Sequence, residues 1–425
     1  HFTSGGRMRI VMAAGALVAV MQAGSGRAMP AVHVTVHVHV RAPRWINVPD
    51  VAALLDAAHG AAPLLCRLAA RSIRNGGGLA APMMPLGPAD SRDERADSLS
   101  ASDRNLLLDN LASADGCVRE VSVTLLAQDD QPAVIDGLRQ RLSAPDTLTR
   151  QAVTATLGML GDDDAAPLLT TSLRDASGGV RANAAWGLGL MEVNSAASAL
   201  AALFNDRVPL VRQAAVGAVG RLDSVDATDA LIRRLKIDDV AAVRRAAAWA
   251  LGNREAQTAG TALVAALATD QDNGVREMCA WALGSIGDHD AADGLAKALG
   301  SEHDTRTRRT IAWALGQLGV TPAPRALIAA VNDSSSDVRT VAAWAISEEG
   351  DAAAIPALRA ALSREHDTEA ARAEVRALVH SSATPEQLAD LLESRDATVR
   401  LAVTRALGGH HGPDPWPWPM PRPFP

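Results

Sequence analysis

From Asn105 to Leu407 apolar residues recur at spacings of three and four, in runs of about a dozen residues broken by short polar loops. That period is helical, so the pattern predicts paired amphipathic helices rather than strands. The stretch Val275 to Asp288 shows the unit most fully. At 100° per residue, Val275, Cys279, Ala282, Leu283 and Ile286 fall within about 60° of one direction and form a core stripe. With small changes the stretch repeats along the chain. Its reference arginines are Arg119, Arg150, Arg181, Arg212, Arg244, Arg276, Arg308 and Arg339, spaced by 31 or 32 residues. The register blurs around Ala371 or Arg372 and recovers at Arg400. A fixed period of this length marks a solenoid, and two helices per period predict an all-α, αα-superhelix of about nine repeats.

The punctuation agrees with the period. Acidic residues precede the second helix at Asp175, Asp206, Asp238, Asp270 and Asp333, and glycine closes it at Gly161, Gly287 and Gly319, where a left-handed residue is expected. Five residues after a reference arginine stand Trp186, Trp249, Trp281, Trp313 and Trp344; Gly217 fills that place in the unit after Trp186. Trp281 falls about 140° from the centre of its core stripe, away from the first helix of its unit. Two roles are open for such a ladder of rings. Each indole can lie flat against a neighbouring repeat over small residues such as Ala280 and Gly284, or stand partly exposed as an anchor for an extended ligand.

The flanks differ in character. Residues 1–30 carry Arg7-Met8-Arg9, an apolar run from Ile10 to Met21 and small residues after it, which reads as an export signal. The run is too short to span a bilayer. Residues 31–46 alternate Val with His33, His37 and His39, as a strand or linker would. His37 and His39 would lie about 7 Å apart on one face, a weak candidate for a metal site. Residues 47–75 predict a helical hairpin broken near Gly60, 76–103 a flexible linker opened by Gly76-Gly77-Gly78, and 104–409 the solenoid. In 410–425 proline takes every second position among Trp416, Trp418, Met420 and Phe424, which favours polyproline II, either as a free end or as a docking peptide.

Composition narrows the chemistry. Hydrophobic residues make up 48% of the chain but aromatics only 3%, with no tyrosine, so the interior is built from Ala, Leu and Val. A formal charge of -7 with no basic stripe argues against nucleic acid as a partner. Cys66, Cys117 and Cys279 are odd in number and far apart, so no disulfide framework is expected and each reads as a small buried hydrophobe. There is no phosphate-binding loop and no His-Glu pair of the zinc-protease kind. The triplets Asp288-His289-Asp290, Glu302-His303-Asp304 and Glu365-His366-Asp367 fall in loops where polar caps are expected. No catalytic residue, cofactor or resident metal is expected.

The Val-Arg pair, the Ala-Ala-Trp-Ala-Leu-Gly run and the acid six residues before the arginine make the unit resemble the HEAT repeat, in particular the short HEAT-like repeats of phycobilin lyases. The likeness covers about 300 residues. It implies a ladder of hydrogen bonds through the stack, with a structural role for Asp175 and Arg181, Asp206 and Arg212, Asp270 and Arg276, and Asp333 and Arg339. Glu302 and Thr307 depart from the pattern, which predicts a looser ladder near Arg308. The resemblance also puts the second helices, and so the tryptophans, on a concave surface. The expected function is a non-enzymatic scaffold for a protein or peptide partner, exported to the periplasm or cell envelope, and cytoplasmic if the first segment is no signal. Any membrane link would run through an uncleaved or truncated N-terminal segment. Two alternatives are a phycobilin-lyase-like enzyme and the C-terminal sensor region of a larger membrane protein, such as an antirepressor-type metallopeptidase.

Overall fold

Each apolar stripe is long enough for two to four helical turns, and a helix that short needs a neighbour to cover its stripe. In the computed structural model, which describes residues 51–62, 99–222 and 227–408, the stripes cover one another in sequence. The export-like segment, the stretch holding His33, His37 and His39, most of the linker and the Pro/Trp tail lie outside the described residues. All described residues belong to one unit, Pro43–Pro425.

Helix α1 (Val51–Ala58) is the described part of the expected hairpin and packs on the solenoid's first turns. Ten helix pairs follow. They are α2 (Ala101–Asn110) with α3 (Gly116–Leu126), α4 (Pro132–Arg141) with α5 (Thr147–Leu160), and α6 (Ala166–Ser172) with α7 (Gly178–Leu190). Next come α8 (Ala197–Ala202) with α9 (Pro209–Val219), α10 (Thr228–Ile237) with α11 (Ala241–Asn253), and α12 (Gly260–Thr269) with α13 (Asn273–Ile286). The array continues with α14 (Ala292–Ser301) and α15 (Thr305–Leu318), α16 (Arg325–Ala330) and α17 (Ser336–Glu349), α18 (Ile355–Leu362) and α19 (Thr368–His380), and ends with α20 (Pro385–Ala389) and α21 (Ala397–Leu407). The sequence period predicts about nine pairs; the atypical first and last ones raise the number. No strand occurs among the described residues.

Second helices of successive pairs lie side by side, and first helices cover their other flank. The core stripe of α13 is buried throughout, with Val275, Cys279, Ala282 and Leu283 at 0% exposure. Caps set the boundaries. Asp146, Asp272 and Asp304 accept the amides of Thr149, Val275 and Thr307 at their helix starts. Gly161, Gly287 and Gly319 end their helices at φ 67°, 70° and 59°, as the sequence predicts, and Glu192 and Glu255 take the same left-handed conformation where no glycine is present. Close approach fixes a second set of glycines. A Cβ on Gly252 would stand 2.7 Å from the Ala282 Cα, so only glycine lets α11 and α13 come together there.

The cysteines divide. Cys279 is a free, fully buried thiol whose pKa burial pushes up, matching its expected role as a small hydrophobe. Cys117 is disulfide-bonded, which corrects its reading as a small buried hydrophobe outside any disulfide. Spacing alone gave no sign of it, because one pair in three widely separated cysteines has no signature.

Candidate binding surface

The recurrent charges fall first into place. From Arg150 to Arg339 each reference arginine reaches two units at once. Arg244 donates Nη1 to the Asp238 carbonyl of its own unit at 3.0 Å. It then clamps the Asp270 carboxylate of the next unit through Nε at 2.7 Å and Nη2 at 2.8 Å. The same fork joins Arg150 to Asp175, Arg181 to Asp206, Arg212 to Asp238, Arg276 to Glu302, Arg308 to Asp333 and Arg339 to Glu365. The ladder implied by the resemblance is therefore present with its carboxylates shifted by one unit. Asp270 meets Arg276 through its backbone carbonyl and Arg244 through its side chain. A bidentate fork between partly buried partners is the strong form of this interaction. Burial raises the Asp270 pKa, but the Arg244 guanidinium and the Asp272 amide outweigh it and leave the group below its ordinary value.

The predicted loosening near Arg308 does not occur. Glu302 holds Arg276 at 2.7 and 2.9 Å, and Arg308 holds Asp333 at 2.7 and 3.0 Å. The longer glutamate still places its carboxylate in the fork, and the Thr307 hydroxyl bonds to Asp304 and to the Asn273 carbonyl. The acidic-histidine triplets resolve the same way: Glu302 and Glu365 are rungs, while Asp288, Asp304 and Asp367 cap the turns that follow. Among the described residues no group of three His, Cys, Asp or Glu side chains could hold a metal ion.

The ladder breaks where the register blurs. Ala371 stands in the arginine's place on α19 and Ser394, six residues before Arg400, in the place of the next carboxylate, while Asp396, which caps α21, pairs with His366 at 2.7 Å. One turn on, Glu374 occupies the core stripe at 0% exposure, and neither carboxylate oxygen has a hydrogen-bond partner. Burial, reinforced by the nearby Glu365 charge, pushes its pKa up to about 9 against the pull of Arg339.

The tryptophans lean back over the preceding unit. A Cβ on Gly252 would stand 2.8 Å from Cζ3 of Trp281, and Gly220, Gly284 and Gly316 meet Trp249, Trp313 and Trp344 in the same way. The glycine that closes the Ala-Leu-Gly runs at 252, 284 and 316, and the Ala-Val-Gly run at 220, is thus the seat for the next repeat's indole. Trp249, Trp281 and Trp344 are 8%, 6% and 9% exposed, and Trp313 is half-buried. At these positions the packing role holds, and the rings offer little surface to a ligand. Trp186 differs, at 40% exposed. The matching position in the next unit is Gly217, which has no side chain to lay against it.

Around Trp186 lies a surface that the sequence reading passed over. On a second helix, the positions two before and nine after the arginine point within about 40° of the tryptophan. Leu148 and Leu210 take the first of these on α5 and α9, at 49% and 57% exposure, and Arg221 takes the second, just past α9. Arg221 stacks over the Trp249 ring with Cζ 5.3 Å from its centroid. The signal for these positions in the sequence is their helical phase, which puts Leu148 and Leu210 on the tryptophan side of their helices.

A family profile for HEAT repeats matches residues 105–181, 171–252, 238–316 and 301–379. The chain belongs to the HEAT-repeat family. Among solved structures, importin beta superposes with a TM-score of 0.54 at 16% identity, over 72% of this chain and 50% of that one. A Kap95p structure described with RanGDP gives 0.51 at 14%, over 72% and 49%. The phycocyanin lyase complex of CpcE and CpcF from Nostoc sp. PCC7120 gives 0.35 at 24%, over 58% and 96%. No curated protein matches the chain by sequence.

Proposed function

We propose that this chain is a non-enzymatic scaffold that binds a protein or peptide partner along the face of its second helices turned away from the first helices. The observation that carries the reading is the division of labour among the repeat's own residues. Arginine, acid and glycine are consumed in holding units together, while Leu148 and Leu210 stay exposed and Trp186, though its ring edge rests near Gly158, keeps 40% of its surface open on the same face. Exposed apolar side chains set on one face of successive solenoid units suit a recognition surface. The Kap95p structure is described as binding RanGDP, so the fold serves protein recognition in at least one relative.

The test is capture from an extract with the full chain and with a Leu148→Glu, Trp186→Ala, Leu210→Glu variant, melting temperatures measured in parallel. The reading expects partners lost from the variant at an unchanged melting temperature. Equal capture by both would remove it.

The same reading places the protein in an oxidising compartment such as the periplasm or cell envelope. The Cys117 disulfide supports this, because structural disulfides persist there and are reduced in most cytosols. No helix among the described residues is long and apolar enough to cross a membrane. Peptide mapping of unreduced protein from fractionated cells decides the matter: a bonded Cys117 in the envelope fraction is expected, and a free thiol in the cytosol contradicts it.

A further inference from the structure

The exposed face changes character along the array. On α13, α15 and α17 its charges are of both signs: Arg306 and Arg309 act on Glu277, and Arg309 lies 3.8 Å from Asp337. From α5 to α11 it carries no acid at the positions two before and one, two, five and nine after the arginine, although the chain as a whole has a charge of -7. Two arginines stand there instead. Arg221 lies over the Trp249 ring, and Arg245, on α11, has a buried Nε with no hydrogen-bond partner. Among the described residues neither guanidinium has a carboxylate oxygen within 4.0 Å, in contrast to every rung of the ladder. Glu277 lies near enough to feel Arg245 but not to pair with it.

We propose that the α5 to α11 part of this face is a docking site for an extended acidic and apolar peptide segment of a partner protein. Its apolar side chains rest on Trp186, Leu148 and Leu210, and its carboxylates pair with Arg221 and Arg245. The inference rests on the scaffold reading and gives it a place and a ligand chemistry. Charge complementarity selects the occupant. Glu192 acts on Arg221 and Glu277 on Arg245 only from beyond ion-pair distance, so a basic segment would meet two guanidiniums with no carboxylate paired to them, and a purely apolar one would leave them desolvated and unpaired, which is the more costly state for a charge. An arginine placed over an indole, as Arg221 is over Trp249, is also partly preorganised, so less side-chain freedom is lost when a carboxylate arrives. One repeat to the next is about 10 Å and an extended chain advances about 3.3 Å per residue, so three residues span a unit and some nine would cover the patch.

Fluorescence anisotropy with the full chain tests this with three labelled synthetic peptides of equal length, in which leucine alternates with glutamate, with lysine or with serine. The glutamate peptide should bind at least about tenfold tighter than either of the others, the scale of one charge-assisted contact. Arg221→Gln with Arg245→Gln should erase that preference. Leu210→Glu, an exposed change in the first turn of α9 where a negative charge suits the helix, should do the same without disturbing packing. The proposal is overturned if no peptide binds, if the lysine peptide binds as well, or if the preference survives both sets of changes. Tighter binding of a synthetic 410–425 peptide, or self-association abolished by Trp186→Ala, would give the face to the chain itself and overturn it too. Should partner capture depend on Leu148, Trp186 and Leu210 while the glutamate preference is absent, the scaffold reading stands and this site falls. If both are absent, both fall.

Discussion

Glu374 offers the sharpest test of the packing scheme. Its neighbours in the repeat alignment are core residues such as Ala247, Cys279 and Ile311, and its own exposure is 0%. With Ala371 in the arginine's place, the unit lacks the cation that would neutralise a buried acid. An unfolded glutamate ionises near 4.5, while this one holds its proton to about 9. A folded-state pKa raised in this way favours the fold below the unfolded value, and the advantage drains away as pH climbs through the window between the two. At ~1.36 kcal/mol per pH unit, the loss accumulated by pH 7 is about 3 kcal/mol. Glu374→Gln keeps the shape and removes the titration. The variant should match the parent at pH 4.5 and exceed it by about 3 kcal/mol at pH 7, with the gap still widening at pH 8. Because repeats open locally, the readout is hydrogen exchange of the α19 amides across that pH range, with urea unfolding beside it. A difference that stays flat with pH would show that Glu374 is ionised in the fold, shared with Arg339, and the reasoning would fail.

Three further outcomes follow from the same contacts. Trp281→Ala, which empties the seat over Gly252, should cost about 3 to 5 kcal/mol, whereas Trp186→Ala should cost less than about 1 kcal/mol; equal losses in thermal unfolding would contradict the division between packed and exposed rings. Gly252→Ala should destabilise by about 1 to 3 kcal/mol, because the added methyl meets the Ala282 backbone; a neutral result in urea titration would mean that α11 and α13 are not in contact there. Arg244→Ala strands the buried Asp270 carboxylate and should cost about 3 kcal/mol at pH 7. Since Asp270 has a lowered folded pKa, the rung's contribution is present above the ordinary carboxylate range and lost as pH falls below it, so parent and variant should converge in acid. Parallel curves would refute the rung.

The architecture was legible because it is written many times over. Ten imperfect copies average out local ambiguity, and the arginine, the glycine cap and the core stripe each recur at one register. What repetition could not supply was the direction of contacts between copies. The ladder pairs each arginine with the carboxylate one unit further on, and a single period is silent on which of two equivalent acids is nearer. The tryptophans show the same limit. Helical geometry put them on the outer side of α13, but exposure depends on what the neighbouring unit places against them. Gly252 seats Trp281, and Gly217 leaves Trp186 uncovered. Glu374 was hidden for a different reason. It sits where the register blurs, and a lone glutamate on a helix reads as solvent-facing unless the alignment of neighbouring repeats is trusted through the gap.

The central claim is that recognition runs along the exposed face of the second helices. A benzophenone amino acid placed one position at a time at Leu148 and Leu210, and at Arg233 and Lys297 on the exposed side of first helices, tests it directly in cells. Mass spectrometry of the photocrosslinked products should find one partner protein joined to positions 148 and 210 and absent from 233 and 297. The same partner crosslinked at 233 or 297 and missing from 148 and 210 would contradict the account.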